Sequence, residues 1–247
     1  VLMFDLFVRK KEGLGILSIL AAVVVGYSLF HASGETFSGM FISDPYSVFF
    51  KLIFLTSLIL SILISLKYIS IERANFGEYY SLMLFSTTGM MLMASAGDLI
   101  ILYLGLELMS LSVYVLAGFK RYERKSNEAA MKYFLLGAFA SAILLYGIAL
   151  TYGMTGTTDI VAIAEHIRTA GLVGNPTLTT AILFYVVAMG FKIAAVPFHM
   201  WAPDVYEGAP TSITAFMSVG PKAAGFAALG RVFLVAFGAV QFEWAAI

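Results

Sequence analysis

Residues 13–34, 79–97 and 133–158 form three apolar runs without a single Asp, Glu, Lys or Arg. Each is close to or above the roughly 20 residues that a helix needs to cross a hydrocarbon core about 30 Å thick. Of the 247 residues, 60% are hydrophobic and 12% are charged, against about 25% charged in an ordinary soluble domain. Lipid is therefore the solvent for most of this chain. Four more windows qualify around isolated charges: 45–66 around Lys51, 99–119 around Glu107, 177–202 around Lys192, and 210–240 around Lys222 and Arg231. Residues 1–8 read as the tail of an earlier apolar helix, which brings the expectation to about eight spans. The opening "VLMFDLFVRKK" lacks a start methionine or signal-peptide layout, and "FEWAAI" closes without a terminal pattern. The expectation is one transmembrane domain over 1–247, an internal fragment of a longer chain.

Sorting the links between spans alternately onto two faces, and counting only Lys and Arg, gives a lopsided result. One face collects Arg9, Lys10, Lys11, Lys67, Arg73, Lys120, Arg121, Arg124 and Lys125, whereas the other takes little beyond Arg168. This predicts a multi-pass membrane protein with the 9–12, 67–78 and 120–127 loops in the cytoplasm. The short "SAGD" link after Ala94 predicts a tight helical hairpin. The longest link, 153–176, contains "TDIVAIAEHIRTAG", where Thr158 or Asp159 can cap a helix and Ile160, Ile163, Ala164 and Ile167 recur at helical spacing. An amphipathic helix on the non-cytoplasmic surface is expected there.

Zero net charge implies no nucleic-acid partner, and the absence of cysteine excludes disulfides, thiolate metal sites and cysteine-held iron–sulfur clusters in this chain. No nucleotide loop, His-rich metal spacing or nucleophile elbow occurs. The chemistry rests on charges placed in lipid. Glu107 lies near the middle of its window, where a bare charge costs on the order of 3 kcal/mol, so it should face protein or water and find a cationic partner. A plain structural ion pair between helices is the rival reading. Lys192 lies near the middle of the 177–202 window with Pro197 five residues on, and Pro221 directly precedes Lys222. Each proline removes a backbone donor and frees a carbonyl, of Ile193 and Met217, beside a lysine stem. Such breaks survive in a bilayer only where protein or water satisfies the freed groups. Snorkelling is the rival for both lysines and the favoured reading for Lys51 and Lys132. Arg231 is left open, as is His199, a hydrogen-bonded structural residue or a proton carrier. Asp204 and Glu207 read as solvated turn or capping residues, and Trp201 as an interface anchor. Glu107, Lys192 and Lys222 on successive inward-facing helices make sense as a proton relay, because a buried lysine's charge responds to its distance from a carboxylate. Water is expected to join the two lysines.

Three segments carry a family resemblance: "LYLGLELMSLSVYVLAGF" at 102–119, "EAAMKYFLLGAFASAILLYG" at 128–147 and "FKIAAVPFHMWAPDVYEGAPTSITAFMSVGPKAAGF" at 191–226. They resemble the antiporter-like subunits of respiratory complex I and of multisubunit cation/proton antiporters. "DVYEGAPT" at 204–211 is more similar to the N subunits of NADH:quinone oxidoreductase than to the L and M subunits. The resemblance implies a fold of fourteen helices, with helices four to eight and nine to thirteen as inverted repeats, of which this chain covers roughly the first eight. It matches Glu107 to the family's glutamate on helix five, Lys192 to the lysine on broken helix seven and Lys222 to the lysine on helix eight. The family's lysine on helix twelve falls beyond this chain.

The reading is therefore an all-α, polytopic transmembrane bundle with a proline-broken helix. Its expected role is proton translocation coupled to quinone reduction elsewhere in complex I, through Glu107, Lys192 and Lys222, with His199 as a further candidate. No cofactor is expected in this chain; NADH, flavin, iron–sulfur clusters and quinone belong to the wider complex. The expected partners are lipid and the other membrane subunits, further antiporter-like ones included. A sodium/proton antiporter subunit and a non-pumping scaffold are the alternatives.

Overall fold

A computed structural model describes residues 1–5, 11–71 and 77–245. After the short α1 (Leu2–Asp5) and the long α2 (Glu12–Leu29), an antiparallel hairpin pairs β1 (Gly34–Thr36) with β2 (Phe41–Ser43). There follow α3 (Pro45–Ile71), α4 (Glu78–Ala94), α5 (Leu99–Ala117), α6 (Arg124–Thr155), α7 (Ile160–Thr169), α8 (Pro176–Ile193), α9 (Ala202–Gly208) and α10 (Thr211–Leu229). A π-helical segment, Gly230–Ala236, continues α10, and α11 (Gln241–Trp244) closes the described chain. Among the described residues, six helices are long and apolar enough to cross a membrane: α2, α3, α5, α6, α8 and α10 with its extension to Ala236. The chain is a multi-pass, all-helical membrane protein with fewer such helices than the eight spans expected. Helix α4, expected as a span over 79–97, has 17 residues, the short end of the usual range. The span expected at 1–8 lies partly outside the described residues, as do parts of the 9–12 and 67–78 loops.

The links expected on one face do gather at one end. The Ile42 amide donates to Ser95 O (2.8 Å), Gly97 to Met40 O (2.9 Å), Leu99 to Thr158 O (2.9 Å) and Ile160 to Gly97 O (3.0 Å). Asp98 caps α5 by accepting from the Ile100 amide (2.7 Å) and also accepts the Thr158 hydroxyl (2.6 Å). Asp159 caps α7 through the Ala162 amide at 2.7 Å, which settles the choice that the sequence left open. Helix α7 buries Ile160, Ile163 and Ile167. That face packs on Gly230–Ala236 and α6, so the amphipathic helix lays its apolar side on the bundle and leaves Val161, Glu165 and Arg168 exposed.

At the opposite end Tyr68 bonds the Thr211 amide (3.4 Å), and the ion pairs Lys125–Glu207 and Lys132–Asp204, both 2.6 Å, tie α9 to α6. Asp204 and Glu207 are thus bridging residues and not simple turn or capping groups. Lys132 also reaches Glu128 at 2.7 Å and is half-buried.

Helices α4 and α5 meet backbone to backbone. A Cβ on Gly89 would stand 2.5 Å from both Gly105 O and the Met109 amide nitrogen, and one on Gly105 would stand 2.8 Å from Gly89 O. Glycine at both positions is what lets the helix carrying Glu107 lie against α4. Gly89→Val should therefore destabilise the fold by about 1–3 kcal/mol, the usual cost of overpacking. The measurement is the melting temperature of the assembled protein, with Ser218→Ala at an exposed position as the unaffected control.

Candidate functional site

Helix α8 starts on Asn175, whose side chain accepts the Thr177 and Leu178 amides at 2.9 and 3.3 Å, with Pro176 preset for the first turn. It stops at Ile193. Ala194 turns left-handed (φ +57°), and the Ala194 and Ala195 amides return to Phe191 O (3.1 Å) and Gly190 O (2.8 Å). The Trp201 indole donates to Phe191 O at 2.9 Å. The interruption falls where the sequence predicts it, with Pro197 inside the connector to α9. Lys192 consequently stands in the last turn of α8, not in the middle of a span. In α10 the expected second break is absent: the helix runs through Pro221, which removes a donor without interrupting the turn.

Lys192 is 3% exposed, and its ammonium donates to Ser110 Oγ (2.8 Å) and Tyr114 OH (3.2 Å) while lying 5.6 Å from the centre of the Tyr114 ring. Ser110 and Tyr114 lie three and seven residues after Glu107, on the same side of α5. Oε1 of Glu107 is buried and has no hydrogen-bond partner. The carboxylate acts electrostatically on Lys192, Tyr103 and Tyr114, yet among the described residues there is no Glu107–Lys192 ion pair. The expected direct approach is replaced by a neutral contact. Two hydroxyls hold the ammonium, and the carboxylate stands one turn away.

Lys222 is half-buried, with its ammonium 5.4 Å from the centre of the Tyr206 ring. Between the two lysines runs a train of aromatic contacts. Tyr114 meets the edge of Tyr133 (4.7 Å), Tyr133 stacks on Trp201 (4.4 Å, 10°), and Trp201 meets Tyr206 edge-on (5.8 Å). Trp201 is 2% exposed, so it is a core residue and not an interface anchor. Its indole and ring face explain its place better than an aromatic belt does. His199 is exposed on the connector; the structure does not bring it to the Glu107–Lys192 centre. Neither the hydroxyls nor the aromatic train was singled out from sequence. Ser110 and Tyr114 carried a signal in their i+3 and i+7 spacing from Glu107, whereas Tyr206 and Trp201 reach the site only through the folding back of α9.

Beside the stitched end a second charged cluster forms. Arg231 opens the π-helical segment and donates to Asp44 (2.6 Å) and to Ala94 O (3.1 Å), with its guanidinium 4.8 Å from the Tyr46 ring centre. Tyr46 OH in turn bonds Ala227 O at 2.9 Å. Lys51 is 2% exposed and ends under the Phe41 ring at 4.8 Å. Its stem points toward the near end of α3 as snorkelling predicts, but Phe41 of the hairpin closes over the ammonium. Among the described residues no group of three or more His, Cys, Asp or Glu could hold a metal ion.

The sequence pattern of the family described as NADH:quinone oxidoreductase/Mrp antiporter, TM, matches residues 96–247. The chain belongs to this family. It is 52% identical over 249 aligned positions to an NADH-quinone oxidoreductase subunit N of Trichlorobacter lovleyi, covering 99% of this chain and 51% of that protein. Its fold is similar to a chain of respiratory complex I from Thermus thermophilus (36% identity, TM-score 0.79, 97% of this chain and 52% of that one). A weaker likeness links it to a chain of the Mrp complex from Dietzia (25% identity, TM-score 0.69, 92% and 43%). The chain spans about half the length of the curated relatives it matches. Within the family, the similarity to the N subunits that "DVYEGAPT" suggested is borne out.

Asp44 gives the second cluster a pH dependence. Burial pushes its carboxyl upward, but the Arg231 guanidinium and the Ser47 amide and hydroxyl outweigh this and hold it below its ordinary value. A depressed folded value means that the stabilisation is complete above the ordinary carboxylate range, about pH 4, and is lost as pH falls through the folded value. Asp44→Asn should lower the melting temperature at pH 7 and flatten the loss of stability in acid relative to the unaltered protein. Matching melting curves for the two from neutral to acid pH would count against this role.

Proposed function

We propose that this chain forms part of a proton-translocating membrane subunit of NADH:quinone oxidoreductase, in which Glu107, Lys192 and Lys222 pass protons. The observation that carries the reading is the unpartnered, buried carboxylate oxygen of Glu107 beside a lysine held only by neutral hydroxyls. A structural ion pair would lock both charges together. Here neither group has a fixed counter-charge in contact, so the protonation of each is free to follow the other. Ser110 and Tyr114 supply oxygen atoms that accept from the ammonium and can donate when it has lost its proton. A proton then leaves Lys192 toward Lys222 past Tyr114, Tyr133, Trp201 and Tyr206. Direct lysine-to-lysine contact would be strongly repulsive at low dielectric, so water along this aromatic wall is the intermediary. His199, on the exposed connector, is a reserve carrier in this scheme.

Redox chemistry falls to NADH, flavin, iron–sulfur clusters and quinone in other subunits, and further antiporter-like subunits are the membrane neighbours. Residues 1–247 act as one transmembrane unit holding the first of two inverted repeats. In a bacterial inner membrane the Lys/Arg-rich end, with the 9–12, 67–78 and 120–127 loops, faces the cytoplasm. The sodium/proton antiporter alternative is less favoured, since identity to the Mrp chain is 25% against 52% to a subunit N.

Glu107→Gln and Lys192→Ala should each reduce proton pumping and coupled quinone reductase activity by about tenfold or more while assembly persists. Near-normal turnover in both assembled variants would overturn the relay and favour the scaffold reading. Lys222→Arg keeps the charge but cannot release its proton at accessible pH. It should therefore impair pumping nearly as much as Lys222→Ala, and a clean rescue by arginine would remove Lys222 from the path.

A further inference from the structure

Lys51 has no part in the relay, yet it is one of the most completely buried large side chains in the fold. Among the described residues its ammonium has no hydrogen-bond or ion-pair partner; its contact is the Phe41 ring. The Asp44 carboxylate acts on it electrostatically but is committed to Arg231 at 2.6 Å. An ammonium that touches a ring but no oxygen keeps room for a charge-assisted partner. Lys51 also lines a cavity of about 510 Å³ between α2, the hairpin, α3 and α4. Its walls are mainly apolar, among them Val25 and Leu29 of α2 and Met91 and Leu92 of α4, and Glu35 of the hairpin stands at its rim.

We propose that this cavity binds a phospholipid whose headgroup carries a phosphate and a primary ammonium, as in phosphatidylethanolamine. The phosphate takes Lys51, the headgroup ammonium takes Glu35, and the upper part of one acyl chain runs between α2 and α4. Each part of the ligand follows from a separate feature. The partnerless cation asks for an anionic oxygen, the apolar walls ask for hydrocarbon, and the carboxylate at the rim asks for a hydrogen-bonding cation. Depth agrees as well. Lys51 is the seventh residue of α3, so its Cα lies about 9 Å below the first at 1.5 Å per residue. Its stem reaches back toward Phe41 of the hairpin, so the ammonium lies nearer the end of the span than the Cα does. The inference needs only the membrane location of the chain and stands apart from the relay.

The test uses the full assembled complex, stripped of lipid and offered phosphatidylethanolamine, phosphatidylglycerol or phosphatidylcholine, with retained lipid counted by native mass spectrometry. The unaltered complex should retain phosphatidylethanolamine best. Lys51→Gln should weaken that retention by about tenfold, the scale of one charge-assisted hydrogen bond, while Lys51→Arg preserves it. Glu35→Gln, on the exposed hairpin, should erase the preference over phosphatidylglycerol without abolishing binding. Val25→Trp should block the chain channel and lower retention of all three lipids, which tests the site even if Lys51→Gln fails to assemble. Equal retention by the unaltered and Lys51→Gln complexes, no discrimination among the three headgroups, or a neighbouring subunit's side chain filling the cavity would each overturn the proposal.

Discussion

Helix α8 leaves backbone carbonyls open where it stops at Ile193, and the arrangement around Lys192 follows from how the chain satisfies them. Gly190 O and Phe191 O are satisfied by Ala195, Ala194 and the Trp201 indole. Because Trp201 must reach back to Phe191, the connector folds beneath α8 and carries α9 toward α6 and α10. Tyr133 then stacks on the indole and Tyr206 meets Lys222. A lipid-facing carbonyl without a donor would cost several kcal/mol, so the tryptophan supports the break in the helix and the aromatic wall at once.

The charges inside the bundle fall into two kinds. Arg231 is fully engaged, with a carboxylate, a carbonyl and an aromatic face around it, and such a set holds one protonation state. Lys192 and Glu107 are close enough to feel each other but are separated by hydroxyls, and Lys222 rests on a ring. The relay proposed above needs groups of this second kind. The sequence presents all of them alike, as charges in apolar windows; only the fold distinguishes a charge with a counter-charge in contact from one without.

How much was legible follows the same line. Helical class, the grouping of links at one end, the α7 cap and the place where α8 breaks were readable, since each depends on local spacing or on a residue's own backbone limits. The exact ends were not: the 177–202 window continues with apolar residues past Ile193, and nothing local marks Ala194 as a left-handed stop. Lys51 misled because its two-turn distance from the helix end is compatible with snorkelling, and the covering Phe41 arrives from a hairpin that hydropathy does not reveal. Pro221 misled in the other sense, since a helix packed on several neighbours tolerates a missing donor that an isolated helix would not. The pairing of Arg231 with Asp44 joins residues 187 positions apart and is a product of packing alone.

The two ends of the bundle are fastened by different means. At the hairpin end, four backbone hydrogen bonds and the Asp98–Thr158 contact tie three separate links into one knot. At the other end, α9 is held to α6 by the buried Val205, by the close approach of Gly208 to Lys125 O and by exposed ion pairs, the last each worth roughly 0–1 kcal/mol and weakened by salt. Salt therefore reaches the two ends unequally: it screens the ion pairs at the end where α9 carries the Tyr206 ring on which the Lys222 ammonium lies, and leaves the backbone knot at the hairpin end untouched.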